Sequence, residues 1–173
     1  FELKHPPEYD YRPSDIARLD AARIIVYGGY EPFIKKLAAA AQFPAERVIA
    51  VHTNNDPGNL KKQARHLAEI MGTQKREEAW EKELDKTLAA VKKSAAEKKV
   101  GKIRVLVQKY QLPFVQWLGF DVVGTFGAEE LSPNKVMEYA MLKPDLVIDN
   151  HHNPQGKTIA EIAGCNYALL INF

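Results

Sequence analysis

The chain has 173 residues, 46% of them hydrophobic and 27% charged, the composition of an ordinary globular protein long enough for one domain or two small lobes. Its 24 Lys and Arg against 22 Asp and Glu leave a formal net charge of +2, too small to imply a nucleic-acid partner or an anionic membrane surface. No apolar run approaches transmembrane length and no signal peptide is present. The first residue is Phe1 rather than Met, so the sequence reads as a mature or trimmed product and a removed export signal stays open. The one cysteine, Cys165, sits on no metal-ligand spacing and reads as a small buried hydrophobe.

Residues 1 to 13 hold three prolines and three aromatics without a period, as an ordered loop does. Ser14 suits the N-cap of a short helix to Ala22, with Asp15 in its first turn. Arg23 to Tyr27 is a buried-strand run ended by Gly28-Gly29, and Pro32 opens a second helix. Arg47 to His52 is a second strand, Thr53 to Asn59 a polar loop, and Leu60 to Met71 an amphipathic helix stopped by Gly72. Two strands make a poor sheet, so a further strand is expected upstream of Phe1, in a unit longer than this sequence.

Thr73 to Lys99 then forms one charged run without Gly or Pro, rich in the helix formers Ala, Glu and Lys. Trp80, Leu84, Leu88, Val91 and Ala95 recur at helical spacing as one apolar stripe. Thr73 suits the N-cap, Glu77 and Glu78 the first turn, and Lys98 and Lys99 the last, an order that matches the helix dipole. At 1.5 Å per residue the helix would be about 40 Å long. Such a rod either lies solvated on a bundle or joins two α/β lobes. The βα patterns on both sides favour the second arrangement.

After Gly101 strands and helices alternate: strands over 102–107, 121–126, 146–148 and 167–171, helices over 113–118, 133–142 and 154–163. Short connections between them imply a mostly parallel sheet covered by helices. The expected fold class is therefore α/β, two lobes with mostly parallel sheets joined by one long backbone helix. The N-terminal lobe spans 1–72, the linking helix 73–99 and the C-terminal lobe 100–173. Ligands of such sheets bind at the carboxyl ends of the strands. That places Tyr27 to Tyr30, the 53–59 loop, Gln108 to Gln111, Gly127 to Glu130, Asn150 to Asn153 and Asn172 at a cleft between lobes.

The string YRPSDIARLDAARIIVYGGYEPFIKKL, followed by Asp56-Pro57, the rod and TIAEIAGCNYALLINF, resembles the TroA-like, helical-backbone solute-binding proteins of zinc and manganese ABC transporters. The resemblance covers nearly the whole chain. It implies a two-lobed, extracytoplasmic, monomeric binding protein, periplasmic or extracellular, that hands its solute to a membrane permease and is not an enzyme. It also implies Zn or Mn as the bound ion, held by two histidines, a His or Glu, and an Asp. Those four positions fall on Pro7 (with His5 two residues earlier), Gly58, Gln108, and on or near Asn172. None is an imidazole or a carboxylate, the donors such ions require besides thiolate.

Among the remaining histidines, His5, His52, His151 and His152 are the candidate metal ligands, and His66 reads as surface. Adjacent histidines on an extended backbone point to opposite sides, so His151 and His152 need a turn to share an ion. The alternative use of the same positions is a neutral site: Asn55, Asn59, Gln108 and Asn172 as hydrogen-bonding groups, with Tyr9, Tyr30 and Tyr110 as aromatic walls. That set suits a small organic solute or a chelated metal better than a bare cation. Asn also favours turns for its own sake, and both uses stay open. No G-x-S-x-G, phosphate-cradling loop or H-E-x-x-H is present to point to catalysis.

Overall fold

The computed structural model describes residues 21–171 together with 14, 17 and 19. They fall into two compact units, Phe1–Thr53 and Asn54–Phe173. The helix expected over 14–22 lies largely outside the described residues, although Ser14, Ala17 and Leu19 are helical.

In the first unit, β1 (Ile25–Tyr27) and β2 (Val48–Ala50) pair in parallel, Ile25 beside Val48 and Tyr27 beside Ala50, and α1 (Pro32–Ala40) connects them. Both strands are shorter than the apolar runs suggest. Arg47 supplies a reason: its guanidinium donates to the backbone carbonyls of Arg23 and, at 2.7 Å, Ala22. Those acceptors are occupied by a side chain just where a ladder would have continued, and the ring of Phe43 lies 4.8 Å from the same guanidinium.

The second unit opens with α2 (Pro57–Met71), whose N-cap Asp56 accepts the Asn59 backbone N–H at 2.8 Å. Gly72 ends it at φ +68°, a left-handed turn that a side chain would oppose. The chain then reverses into α3 (Gln74–Glu97), unbroken over 24 residues, hence about 36 Å long at 1.5 Å per residue. Thr73 occupies the N-cap position but accepts no side-chain hydrogen bond there. The stripe on α3 also differs from its sequence reading. Trp80 is 42% exposed, and the covered positions are Glu77, Glu81, Leu84, Leu88, Val91 and Ala95. The cause is ionic: Arg65 grips Glu81 through two bonds of 2.9 and 2.5 Å, and Lys61 lies 3.5 Å from Glu81 and pairs with Asp85. Residues 61 and 65 meeting 85 and 81 make α2 and α3 an antiparallel hairpin.

From there the chain alternates as β3 (Arg104–Gln108), α4 (Leu112–Leu118), β4 (Asp121–Phe126), α5 (Pro133–Ala140), β5 (Leu146–Asn150), α6 (Lys157–Ala163) and β6 (Asn166–Leu170). The strands form one parallel sheet in the order β4-β3-β5-β6. Strand alternation divides its core. Leu106, Phe126 and Val147 face Val136 and Ala140 of α5 and Ile159 and Ala160 of α6. Val105, Val107 and Ile148 face Val115 of α4 on the other side. Because both faces are covered, β3 and β5 read as continuous apolar runs rather than alternating ones. Lys92 of α3 donates to the Trp117 carbonyl and lies 4.6 Å from its ring, tying α3 to α4. Cys165 packs against the first of these clusters, and burial pushes its thiol pKa up.

One boundary shifts for a reason that bears on function. The last helix begins at Lys157 rather than Pro154, because Asp149 at the end of β5 captures the N–H groups of Gln155 and Gly156 at 2.7 and 2.6 Å. Gly156 permits the approach: a Cβ there would lie 2.8 Å from both Phe126 and Val147 and 3.2 Å from the Asp149 carboxylate.

Candidate functional site

Among the described residues the buried polar or charged side chains are Gln108, Gln111, Asp149 and Asn150. All belong to the carboxyl ends of the central strands β3 and β5, or to the turn just beyond β3. A buried polar group costs stability unless it is hydrogen-bonded, so each bond of this set carries information.

Asp149 is saturated. Its Oδ1 accepts the Asn150 N–H at 2.7 Å, and its Oδ2 accepts the two loop N–H groups and the Tyr167 hydroxyl at 3.0 Å. Burial, reinforced by that hydrogen bond to Asp149, raises the Tyr167 pKa well above the usual phenol value. Asn150 accepts the His152 N–H at 3.0 Å through Oδ1. Gln111 donates to the Leu170 carbonyl at 3.5 Å and accepts from Asn55 at 3.3 Å, so it ties β6 and the segment before α2 to the β3–α4 turn.

Gln108 is different. It is fully buried, its Oε1 accepts the Tyr110 backbone N–H at 2.8 Å, and its Nε2 has no partner among the described residues. The bond to Tyr110 fixes which way the amide faces. A flipped amide would set NH₂ against N–H, so the unpaired end is the donor end. By strand alternation Gln108 shares the face of Leu106, and Asp149 shares the face of Val147, so the two lie on the same side of the sheet.

The other sequence candidates scatter. His5, Tyr9 and Asn172 lie outside the described residues. Tyr30 and His52 are exposed in the first unit. Asn59 serves α2 locally, donating to the Asn54 carbonyl at 3.2 Å and accepting from Gln63 at 3.4 Å. Tyr110 is 54% exposed, with the Lys109 ammonium 5.1 Å from its ring. His151 and His152 are exposed on a turn that sets their rings 5.7 Å apart and nearly perpendicular. Sequence reasoning missed Asp149 as the organiser of the 151–156 loop. The signal was an acid closing the otherwise buried strand LVIDN, seven residues before a glycine.

These residues do not fit a bare divalent cation. Among the described residues no group of three or more His, Cys, Asp or Glu side chains converges. The Asp149 carboxylate is already satisfied by four donors. At Gln108 a cation would meet a hydrogen-bond donor. A groove of about 470 Å³ between α5 and α6, lined by Leu131, Val136, Met137 and Ile162, reaches Glu130 of the 127–130 segment but none of the candidate histidines, tyrosines or amides. No helix among the described residues is long and apolar enough to cross a membrane.

No protein-family model and no curated protein sequence matches the chain. Solved structures do. The solute-binding protein FpvC of Pseudomonas aeruginosa, in complex with Mn2+, superposes with a TM-score of 0.68 at 16% identity, covering 98% of this chain and 76% of that one. A ZnuA structure matches with a TM-score of 0.65 at 17% identity, over 96% of this chain and 78% of that one. The laminin-binding adhesin Lmb of Streptococcus agalactiae, in a mutant form, gives 0.67 at 14% identity, over 97% of this chain and 78% of that one. At such identities the likeness speaks for architecture alone. The mixed α/β chain with its parallel sheets has the fold of the TroA-like metal solute-binding proteins.

Proposed function

We propose that the chain is an extracytoplasmic solute-binding protein of an ABC transporter, built on the metal-uptake fold, whose ligand is a small organic molecule or a chelated metal rather than a free cation. Likeness of fold to FpvC and ZnuA supports the solute-binding part. The ligand part is carried by one observation: the polar groups buried at the strand ends are amides plus one saturated carboxylate, with a donor left over. Tyr9, Tyr30 and Tyr110 are then proposed as aromatic contacts, and Asn55, Asn59, Gln108 and Asn172 as polar ones. The protein works as a monomer beside a membrane permease, with no nucleic-acid partner and no catalytic step. A second reading is a bare Zn or Mn ion, for which the observation is the turn that brings the rings of His151 and His152 to 5.7 Å.

Native mass spectrometry decides between the two. After incubation with a cell metabolite extract, the protein should carry an added mass larger than any single metal ion, lost on denaturation. An added mass of one ion only, or no added mass, contradicts the proposal.

A further inference from the structure

Among the described residues, the fully buried side-chain polar atoms at the strand ends all have partners within the fold except one. Asp149, Gln111 and Asn150 each meet partners of their own fold, while the Nε2 of Gln108 meets none among the described residues. An unpaired buried amide donor is destabilising, so a fold that retains one gains wherever an acceptor reaches it. We propose that Gln108 is a ligand-binding residue that donates through Nε2 to an anionic oxygen of the solute, such as a carboxylate or a hydroxamate. The inference rests on the proposed solute-binding role and deepens it by naming the chemical class. An oxygen acceptor of this kind comes either from a free organic acid or from the organic shell of a metal chelate. The donor end repels a bare cation, so the same atom discriminates between the shell and the ion inside it. The neighbouring surroundings agree. Asp149 is bonded away through both oxygens and turned to its own loop, and the 151–156 segment that it anchors adjoins the same strand ends.

Titration of the full-length chain with citrate, with manganese citrate and with manganese chloride tests this, read by calorimetry and by the side-chain amide resonances of Gln108, which are assigned by their loss in Gln108→Met. Citrate, its manganese complex, or both should bind and shift the Gln108 amide pair, with affinity about tenfold or more weaker in Gln108→Met, the loss expected for a donor to a charged acceptor. A response to citrate alone identifies the free acid as the source, and a response only to the complex identifies the chelate. Should Gln108→Met fail to fold, the amide shift in the unaltered chain still decides. Binding of either citrate probe with the Gln108 pair unmoved, or with affinity unchanged in Gln108→Met, overturns the role of Gln108 and leaves the wider solute-binding proposal standing. Binding of manganese chloride alone, with neither citrate probe bound, overturns both.

Discussion

Asp149 and Tyr167 show how much of the site is structural. The carboxylate holds two loop N–H groups and a phenol, so Asp149→Ala strips the acceptor from several donors at once, each worth about 1 kcal/mol or more. Urea unfolding should show a loss of at least about 2 kcal/mol, and unchanged stability would deny Asp149 its anchoring role. Tyr167 gives a pH signature. Its pKa is raised in the fold, first by burial and then by Asp149, so the folded chain keeps a proton that the unfolded chain releases. Its contribution is fully present below the ordinary phenol pKa of about 10 and is lost as pH rises above it. Stability measured from neutral into alkaline pH should therefore fall less steeply in Tyr167→Phe than in the unaltered chain. Equal slopes would show that the phenol is not held as the structure describes. Gly156 tests close packing in the same place: Gly156→Ala brings a methyl against Phe126, Val147 and Asp149 and should cost about 1–3 kcal/mol in urea unfolding.

Among the elements, α3 was the most legible from sequence, because an uninterrupted run of helix formers leaves a chain few alternatives. Its buried face was legible at Leu84, Leu88, Val91 and Ala95 but not at Trp80. An apolar period places Trp80 inward, whereas Arg65 and Lys61 on α2 draw Glu77 and Glu81 inward instead. Charges on a neighbouring helix carry no signature in the local period. These pairs are solvent-screened, so Arg65→Ala should cost little, and less still at high salt. By contrast Ala90→Pro, on the exposed side of α3, should cost about 3 kcal/mol by breaking the helix. Far-ultraviolet circular dichroism with urea unfolding separates the two, and a larger effect from Arg65→Ala would reverse the weights given to ion pairs and helix continuity. The strands of the second unit were legible as buried runs, with ends moved by a few residues. The start of α6 was displaced because Asp149, on the strand before it, takes the N–H groups of Gln155 and Gly156, a capture that no local helix signal announces.

For the molecule as a whole, the order of elements was enough to suggest the TroA-like fold, and the superposition on FpvC and ZnuA agrees with it. The site was less legible. Sequence position puts Gln108 at a strand end, but only the fold shows that its oxygen is used by Tyr110 and its nitrogen by none of the described residues. Composition likewise offered four candidate histidines without saying that His151 and His152 stand exposed on a turn and that no third ligating side chain joins them among the described residues. Fold and proposed cargo thus part company in this chain: the architecture matches solved metal-binding proteins, whereas the polar side chains buried at its strand ends are three amides and one saturated carboxylate, from which we propose an oxygen-bearing ligand. Calorimetric titration of the metal-free chain with zinc chloride tests that separation most directly. The expected result is no tight binding; a nanomolar, stoichiometric site that disappears in the His151→Ala, His152→Ala double variant would contradict it.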